Sequence, residues 1–291
     1  DTARLLTIKP LHDLPEHLCF DEFKSVKSSD SNMSFIICDS TTHKLVDVVR
    51  DRKSYSLKQY FHRFEPKTRL KVKTISIDMY LPYIQLIKEM FPNAKIIIDP
   101  FHIVQALNRE LNRTRVRVMN KHRYKDPKLY RKLKHYWKLI LKNPNELQNY
   151  KYNRYKLFES FITSKGIVDY ILENNPSLKN DYEVVHSLRE CIQDRDYIEF
   201  KETIEAATQL DLSPGLKRVL KTLMTYLPYI QNTCEYPTRT NGPIEGINNK
   251  IKVLKRNAYG FRNYYHFRNR IILITKMFGP KQKGIKQQLV A

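Results

Sequence analysis

The chain has 291 residues and a formal charge of +22, from 52 lysines and arginines against 30 aspartates and glutamates. That length supports one or two domains with a sizeable core, and that charge points to nucleic acid, an anionic lipid surface or an acidic protein as partner. No run of 18 apolar residues occurs and Asp1-Thr2-Ala3-Arg4 opens no apolar leader, so neither a membrane span nor a secretory signal is expected.

The four cysteines (Cys19, Cys38, Cys191, Cys234) are scattered and form no CxxC pair. This argues against a zinc site within the chain and against a disulfide framework, and fits a reducing, cytoplasmic setting. The chain does not open on methionine, which suggests a piece of something longer.

In chain order, three short strands are expected first, at Leu18–Phe23, Met33–Cys38 and Leu45–Val49. Turn-forming Ser28 to Asn32 and Asp39 to Thr42 separate them, as in antiparallel hairpins. Leu57, Tyr60, Phe61 and Phe64 then recur at helical spacing, which predicts a helix over Ser56–Phe64. A strand Val72–Ile77, a helix Pro82–Phe91, a strand Ala94–Ile98 and a helix from Phe101 follow. This order predicts an α/β fold, a mixed sheet with helices on its faces.

From about 107 to 235 the periodicity is helical, with no convincing strand. Between Arg109 and Leu157 there are 16 lysines or arginines and 3 acidic residues, interleaved with tyrosines. Such a block is a solvated helical face or a surface that follows DNA phosphates, and the imbalance favours DNA. Trp137, at helical spacing from Leu133 and from Ile140 or Leu141, is expected in the core. The later part is acidic, from Asp181 to Glu205.

After Pro237 a new helix is expected, with Asn241 as N-cap and Pro243 in its first turn. Ile244, Ile247, Ile251 and Leu254 give an apolar stripe. Glu245, Asn249, Lys252 and Arg256 give a polar stripe beside it. The expected organisation is a core from 1 to 106, a helical insertion from 107 to 236, the rest of the core from 237 to 280, and a basic tail from 281 to 291.

Four apolar runs stop at an aspartate: Asp21, Asp39, Asp78 and Asp99. An aspartate at a strand end is often a turn former. Several converging in a basic chain are what divalent-metal chemistry on a polyanion needs, since phosphodiester cleavage uses carboxylates to clamp two cations roughly 3.5–4 Å apart. Glu245, in a helix first turn beside phosphate-binding cations, is the further candidate. Spacing alone does not say which aspartates are ligands.

The motifs Leu18-Cys19-Phe20-Asp21-Glu22-Phe23, Ile75-Ser76-Ile77-Asp78-Met79-Tyr80, Asp99-Pro100-Phe101-His102 and Asn241-Gly242-Pro243-Ile244-Glu245-Gly246-Ile247-Asn248-Asn249-Lys250-Ile251-Lys252, in that order, resemble bacterial insertion-sequence transposases of the DDE superfamily. The branch is the ISL-three type, and the likeness runs from about 11 to 275. The resemblance implies a ribonuclease-H-like mixed sheet interrupted by a large all-helical insertion. It implies Asp21, Asp78 and Glu245 as the catalytic, metal-holding triad, with two Mg²⁺ or Mn²⁺ ions. Asp78 and Glu245 lie 167 positions apart, as in insertion-bearing relatives. Asp99 and His102 match an Asp-x-x-His signature and are accessory candidates. Lys252, and with it Asn249, Lys255 and Arg256, would contact DNA.

The function so implied is metal-dependent cleavage and strand transfer at the ends of an insertion sequence, by an oligomer assembled on DNA in the bacterial cytoplasm, at the nucleoid. The rivals are a nuclease on the same fold and a non-catalytic DNA-binding derivative. Full-length relatives carry an N-terminal zinc segment and a helix-turn-helix, neither of which is in this sequence, so recognition of the terminal repeats is not assigned to it.

Overall fold

The computed structural model describes residues 13–26, 29 and 31–277. The expected basic tail, and Ser28 and Asp30 of the first turn, lie outside the described residues. The described residues up to Asp99 and from Tyr236 onward form one compact unit, and Pro100–Glu235 form a second.

The first unit is built on five strands: β1 (His17–Lys24), β2 (Met33–Asp39), β3 (Leu45–Val49), β4 (Thr74–Ile77) and β5 (Lys95–Ile98). Their order across the sheet is β3-β2-β1-β4-β5. β1 pairs antiparallel with β2, and β2 with β3, while β1, β4 and β5 run parallel. The chain therefore leaves β1 toward one edge and returns to build the other, which makes β1 the strand where the winding reverses. Helices α1 (Ser54–His62), α2 (Pro66–Leu70) and α3 (Leu81–Met90) connect the strands. The short α2, set off by Pro66 in its first turn, was not expected; five residues are too few for periodicity to mark.

Strand alternation assigns the two faces. Phe20 points toward α1 and α3, where its ring lies 5.1 Å from Phe35, 5.5 Å from Phe61 and 6.1 Å from Phe91. Cys19 and Phe23, one residue out of phase, join Ile36, Cys38 and Val48 in a second cluster on the opposite face. Two C-terminal helices cover that face. In the numbering of the whole chain they are α11 (Gly242–Asn257), contributing Ile244, Ile247, Ile251 and Leu254, and α12 (Tyr264–Met277), contributing Tyr264, Phe267 and Ile271. The apolar stripe expected at 244–254 is thus the buried one. Arg268 of α12 pairs with Asp47 and donates to the Val48 carbonyl at 3.0 Å, fixing α12 against β3. A mixed sheet with α1 and α3 on one side and α11 and α12 on the other is the ribonuclease-H-like arrangement.

The second unit is helical: α4 (Pro100–Lys125), α5 (Pro127–His135), α6 (Trp137–Leu141), α7 (Ser164–Glu173), α8 (Pro176–Asp194), α9 (Tyr197–Ala207) and α10 (Pro214–Glu235). Ile103, Leu107, Leu111, Thr114 and Val118 form the buried stripe of α4. On its outer side Arg109, Arg113, Arg117 and Lys121 recur every four residues, all exposed. Asp181, read from sequence as part of an acidic stretch, is fully buried. It accepts from Thr114 Oγ1 at 2.7 Å and from the Ser213 backbone N–H at 2.9 Å, tying α8 to α4 and to the entry of α10.

Two details differ from expectation. Trp137 is 39% exposed rather than in the core. The helix breaks at Tyr136, so spacing counted from Leu133 does not carry through to Trp137. Asn153 and Ile162 form an isolated antiparallel bridge in the otherwise irregular stretch between α6 and α7.

His186, on α8, is 7% exposed. Arg189 Nη1 lies 3.1 Å from its Nδ1, which must therefore accept, so Nε2 carries the proton and donates to the Ile140 carbonyl at 3.0 Å. Burial, with the Arg189 charge adding to it, pushes its pKa from 6.5 down to about 4, against the pull of the Ile140 carbonyl. The folded imidazole stays neutral where the unfolded one takes up a proton. Its contribution is complete above pH 6.5 and is lost as pH falls toward 4, up to about 3 kcal/mol. Urea unfolding followed by Trp137 fluorescence should show a steeper loss of stability between these pH values in the native chain than in His186→Gln.

Candidate active site

The strand register converges the aspartates. Cys19 pairs with Ser76, and two further residues along each strand set Asp21 level with Asp78. Ile77 pairs with Ile98, and one further residue sets Asp78 level with Asp99. The three aspartates thus stand side by side on three adjacent parallel strands, Asp78 and Asp99 just past the carboxyl ends of β4 and β5 and Asp21 within β1, the strand where the winding reverses. That is where open α/β sheets place their ligand sites. Carboxylate oxygens of Asp78 and Asp99 lie within 4.8 Å of one another. Asp99 is 7% exposed, while Asp21 and Asp78 are half-buried. At that separation two ionised carboxylates repel by about 3 kcal/mol at an effective dielectric of 20, a cost that a bound cation removes.

The fourth strand-end aspartate does something else. Asp39 Oδ1 accepts from the backbone N–H groups of Thr41 at 2.7 Å and Thr42 at 3.2 Å, and Oδ2 from Thr42 Oγ1 at 2.6 Å. It closes the turn between β2 and β3. Glu22, next to Asp21, faces the other side of the sheet. Arg52 grips it in a two-oxygen contact at 2.6 and 2.7 Å, and Tyr83 Oη donates to it at 3.0 Å.

Helix α11 is pinned across the aspartate cluster by two asparagines. Asn241 Nδ2 donates to Asp78 Oδ1 at 3.2 Å and to the Phe20 carbonyl at 3.3 Å. Asn248 Nδ2 donates to Asp21 Oδ2 at 2.7 Å. Asn241 does hold the N-cap position of α11, but its side chain makes no capping bond; it is turned to the strand ends instead. Glu245, exposed in the first turn, lies four residues after Asn241 and three before Asn248, so all three share one side of the helix.

The remaining candidates divide. Asn249, Lys252 and Arg256 are exposed along α11. Lys255 is instead half-buried, its ammonium donating to the Lys24 and Ser25 carbonyls at 2.9 Å each, and burial lowers its pKa. His102 lies half-buried in the first turn of α4, three residues beyond Asp99.

The clustered donors are mainly carboxylate oxygens, those of Asp21, Asp78 and Asp99. This is the chemistry hard cations such as Mg²⁺ and Mn²⁺ take, in contrast to thiolate sites. Two buried polar atoms are also left over, since Asn241 Oδ1 and Asn248 Oδ1 have no hydrogen-bond partner among the described residues. Leaving a buried acceptor unmet costs about 1–3 kcal/mol. The residues present therefore fit a divalent-cation site.

Similarity to known proteins extends over most of the chain. The family model for ISL3-type DDE transposases, described as "Transposase", matches residues 18–271. The chain is 28% identical over 257 residues to the transposase for insertion sequence element IS1001 of Bordetella parapertussis, covering 87% of this chain and 59% of that protein. It is also 36% identical over 130 residues to a protein of Lactococcus lactis subsp. lactis named "ATP-dependent protease", covering 45% of this chain and 40% of that one. The chain thus spans 40% and 59% of the lengths of these two curated relatives. No solved structure matches it.

Proposed function

The chain belongs to the ISL3 family of DDE transposases, and from that premise we propose that it is the DNA-cutting and DNA-joining core of an insertion-sequence transposase. The observation that supports this most is the register that lines up Asp21, Asp78 and Asp99, with Asn241 and Asn248 binding two of them from the helix that carries Glu245. Asp21, Asp78 and Glu245 would hold two Mg²⁺ or Mn²⁺ ions, with Asp99 and His102 as accessory groups. When bound, the ions supply Lewis-acid polarisation of the phosphodiester and lower the pKa of the attacking water.

The protein's own residues do the rest. Lys252 and Arg256, exposed on α11, hold the phosphates of the DNA end next to the carboxylates, as charge-assisted contacts do. The exposed row Arg109, Arg113, Arg117 and Lys121 adds a sequence-independent attraction for the duplex. Lys255 is better read as an anchor of α11 than as a DNA contact, because its ammonium is engaged by the two carbonyls. The reaction is in-line attack of water on the phosphodiester, which frees a 3′-hydroxyl. That hydroxyl then attacks a target phosphodiester and forms the new bond as the target's own 3′-oxygen leaves. The working form would be an oligomer on paired ends.

The test is a cleavage and joining assay on DNA carrying the element's ends, in Mg²⁺ and in Mn²⁺. Joined products that contain both element and target support the proposal. Cutting without joining would make it a nuclease, and metal-independent binding without either would make it a DNA-binding derivative.

A further inference from the structure

We propose that Asn241 and Asn248 are positioning residues for the metal site. They form a two-point amide clamp that sets the carboxylates of Asp78 and Asp21 in place and locks α11, with Glu245, across them. The proposal rests on the cation reading given above. Four observations carry it. First, each asparagine reaches a different aspartate, one just past β4 and one on β1, from positions seven residues apart on one side of the helix. Second, the neighbours fix the amide orientation: a carboxylate and a backbone carbonyl only accept, so both hydrogens of Asn241 are used and its oxygen faces elsewhere. Third, Asn241 is 5% exposed, and its Oδ1, like that of Asn248, is buried with no hydrogen-bond partner among the described residues. An amide that served packing alone would gain by satisfying that oxygen or by being apolar. Fourth, Asn241 gives up the capping bond its position offers in order to reach Asp78.

The direct readout is Mn²⁺ affinity of the whole chain without DNA, by electron paramagnetic resonance. Groups that orient metal ligands are typically worth ten- to a hundredfold in affinity. Asn248→Leu and Asn241→Leu should therefore bind Mn²⁺ ten- to a hundredfold more weakly. DNA affinity by gel shift should stay within about twofold, and cleavage should recover as Mn²⁺ is raised. A purely structural role would lower activity in a way that added Mn²⁺ does not restore. Asn241 also holds the Phe20 carbonyl, so if Asn241→Leu fails to fold, the half-exposed Asn248 decides, through Asn248→Leu and Asn248→Ala. Asp21→Asn separates the two failures. If it binds Mn²⁺ like the native chain, the cation reading itself falls. If it loses Mn²⁺ while both Asn248 variants bind at native strength, or more tightly, the clamp alone is overturned.

Discussion

Asp78→Asn and Glu245→Gln should each lower both cleavage and joining by roughly a thousandfold or more, about 4 kcal/mol of transition-state stabilisation, with DNA binding within about twofold. Each change keeps size and shape and removes only charge, so a loss this large would identify the carboxylates as groups acting on the reaction. Both steps should fall together, because in the proposed reaction one set of residues serves water in the first and the 3′-hydroxyl in the second. Asp99→Asn provides a graded comparison: beside Asp78 but outside the triad, it should lose less, about ten- to a hundredfold. Native activity in either triad variant would show the site to be misplaced.

The same variants carry a stability prediction whose sign is set by the crowding of carboxylates. Asp78→Asn removes a charge within 4.8 Å of Asp99, so without divalent ions it should melt no lower than the native chain. Adding Mn²⁺ at a hundred times its dissociation constant should raise native stability by about 2.7 kcal/mol and leave Asp78→Asn nearly unmoved. Melting curves with and without Mn²⁺, followed by circular dichroism, check both halves. A native chain that does not respond to Mn²⁺ would count against the cation site independently of any activity.

Much of this was legible in the sequence because burial and period constrain it. Apolar runs that stop at an aspartate mark strands, with Asp39, Asp78 and Asp99 at or just past their ends and Asp21 within one, and the apolar stripe of α11 marks the helix that covers the sheet. What spacing left open was which polar residue reaches where. The stripe read at Glu245, Asn249, Lys252 and Arg256 steps by four first; the bond to Asp21 is made by Asn248, three residues on, and both spacings fall on the same side of a helix. Asn241 looked like a cap because it precedes a proline in a first turn, and nothing local reveals that a strand end 163 residues away takes its amide. Asp39 was separable in principle: the threonines that follow it are the partners of an Asx-type turn, whereas no serine or threonine follows Asp78 or Asp99 within three residues. Lys255 and Lys252 differ by less than one turn, yet only tertiary packing decides that the first meets the exit of β1 and the second faces solvent.

Phe20→Ala should cost about 3–5 kcal/mol, a large share of the 5–15 kcal/mol that stabilises an ordinary domain. Phe20 is fully buried among Phe35, Phe61 and Phe91, and Phe61 and Phe91 themselves meet at 4.9 Å, so a truncated ring leaves a cavity that three rigid neighbours fill poorly. Phe20→Leu, which keeps much of the volume, should cost considerably less, and Tyr124→Ala, at an 87% exposed site, should stay within about 0.5 kcal/mol of native. Urea denaturation of the three variants checks the ranking. The site feels this core directly. Phe20 precedes Asp21 on β1 and its carbonyl holds the Asn241 amide, so loosening the ring cluster loosens the strand end and the helix anchor together. Under conditions where Phe20→Ala is still folded, its Mn²⁺ response should weaken while that of Tyr124→Ala does not. An undiminished response there would mean that the strand end is held by α11 alone, and that the aromatic layer beneath it supports the fold without tuning the site.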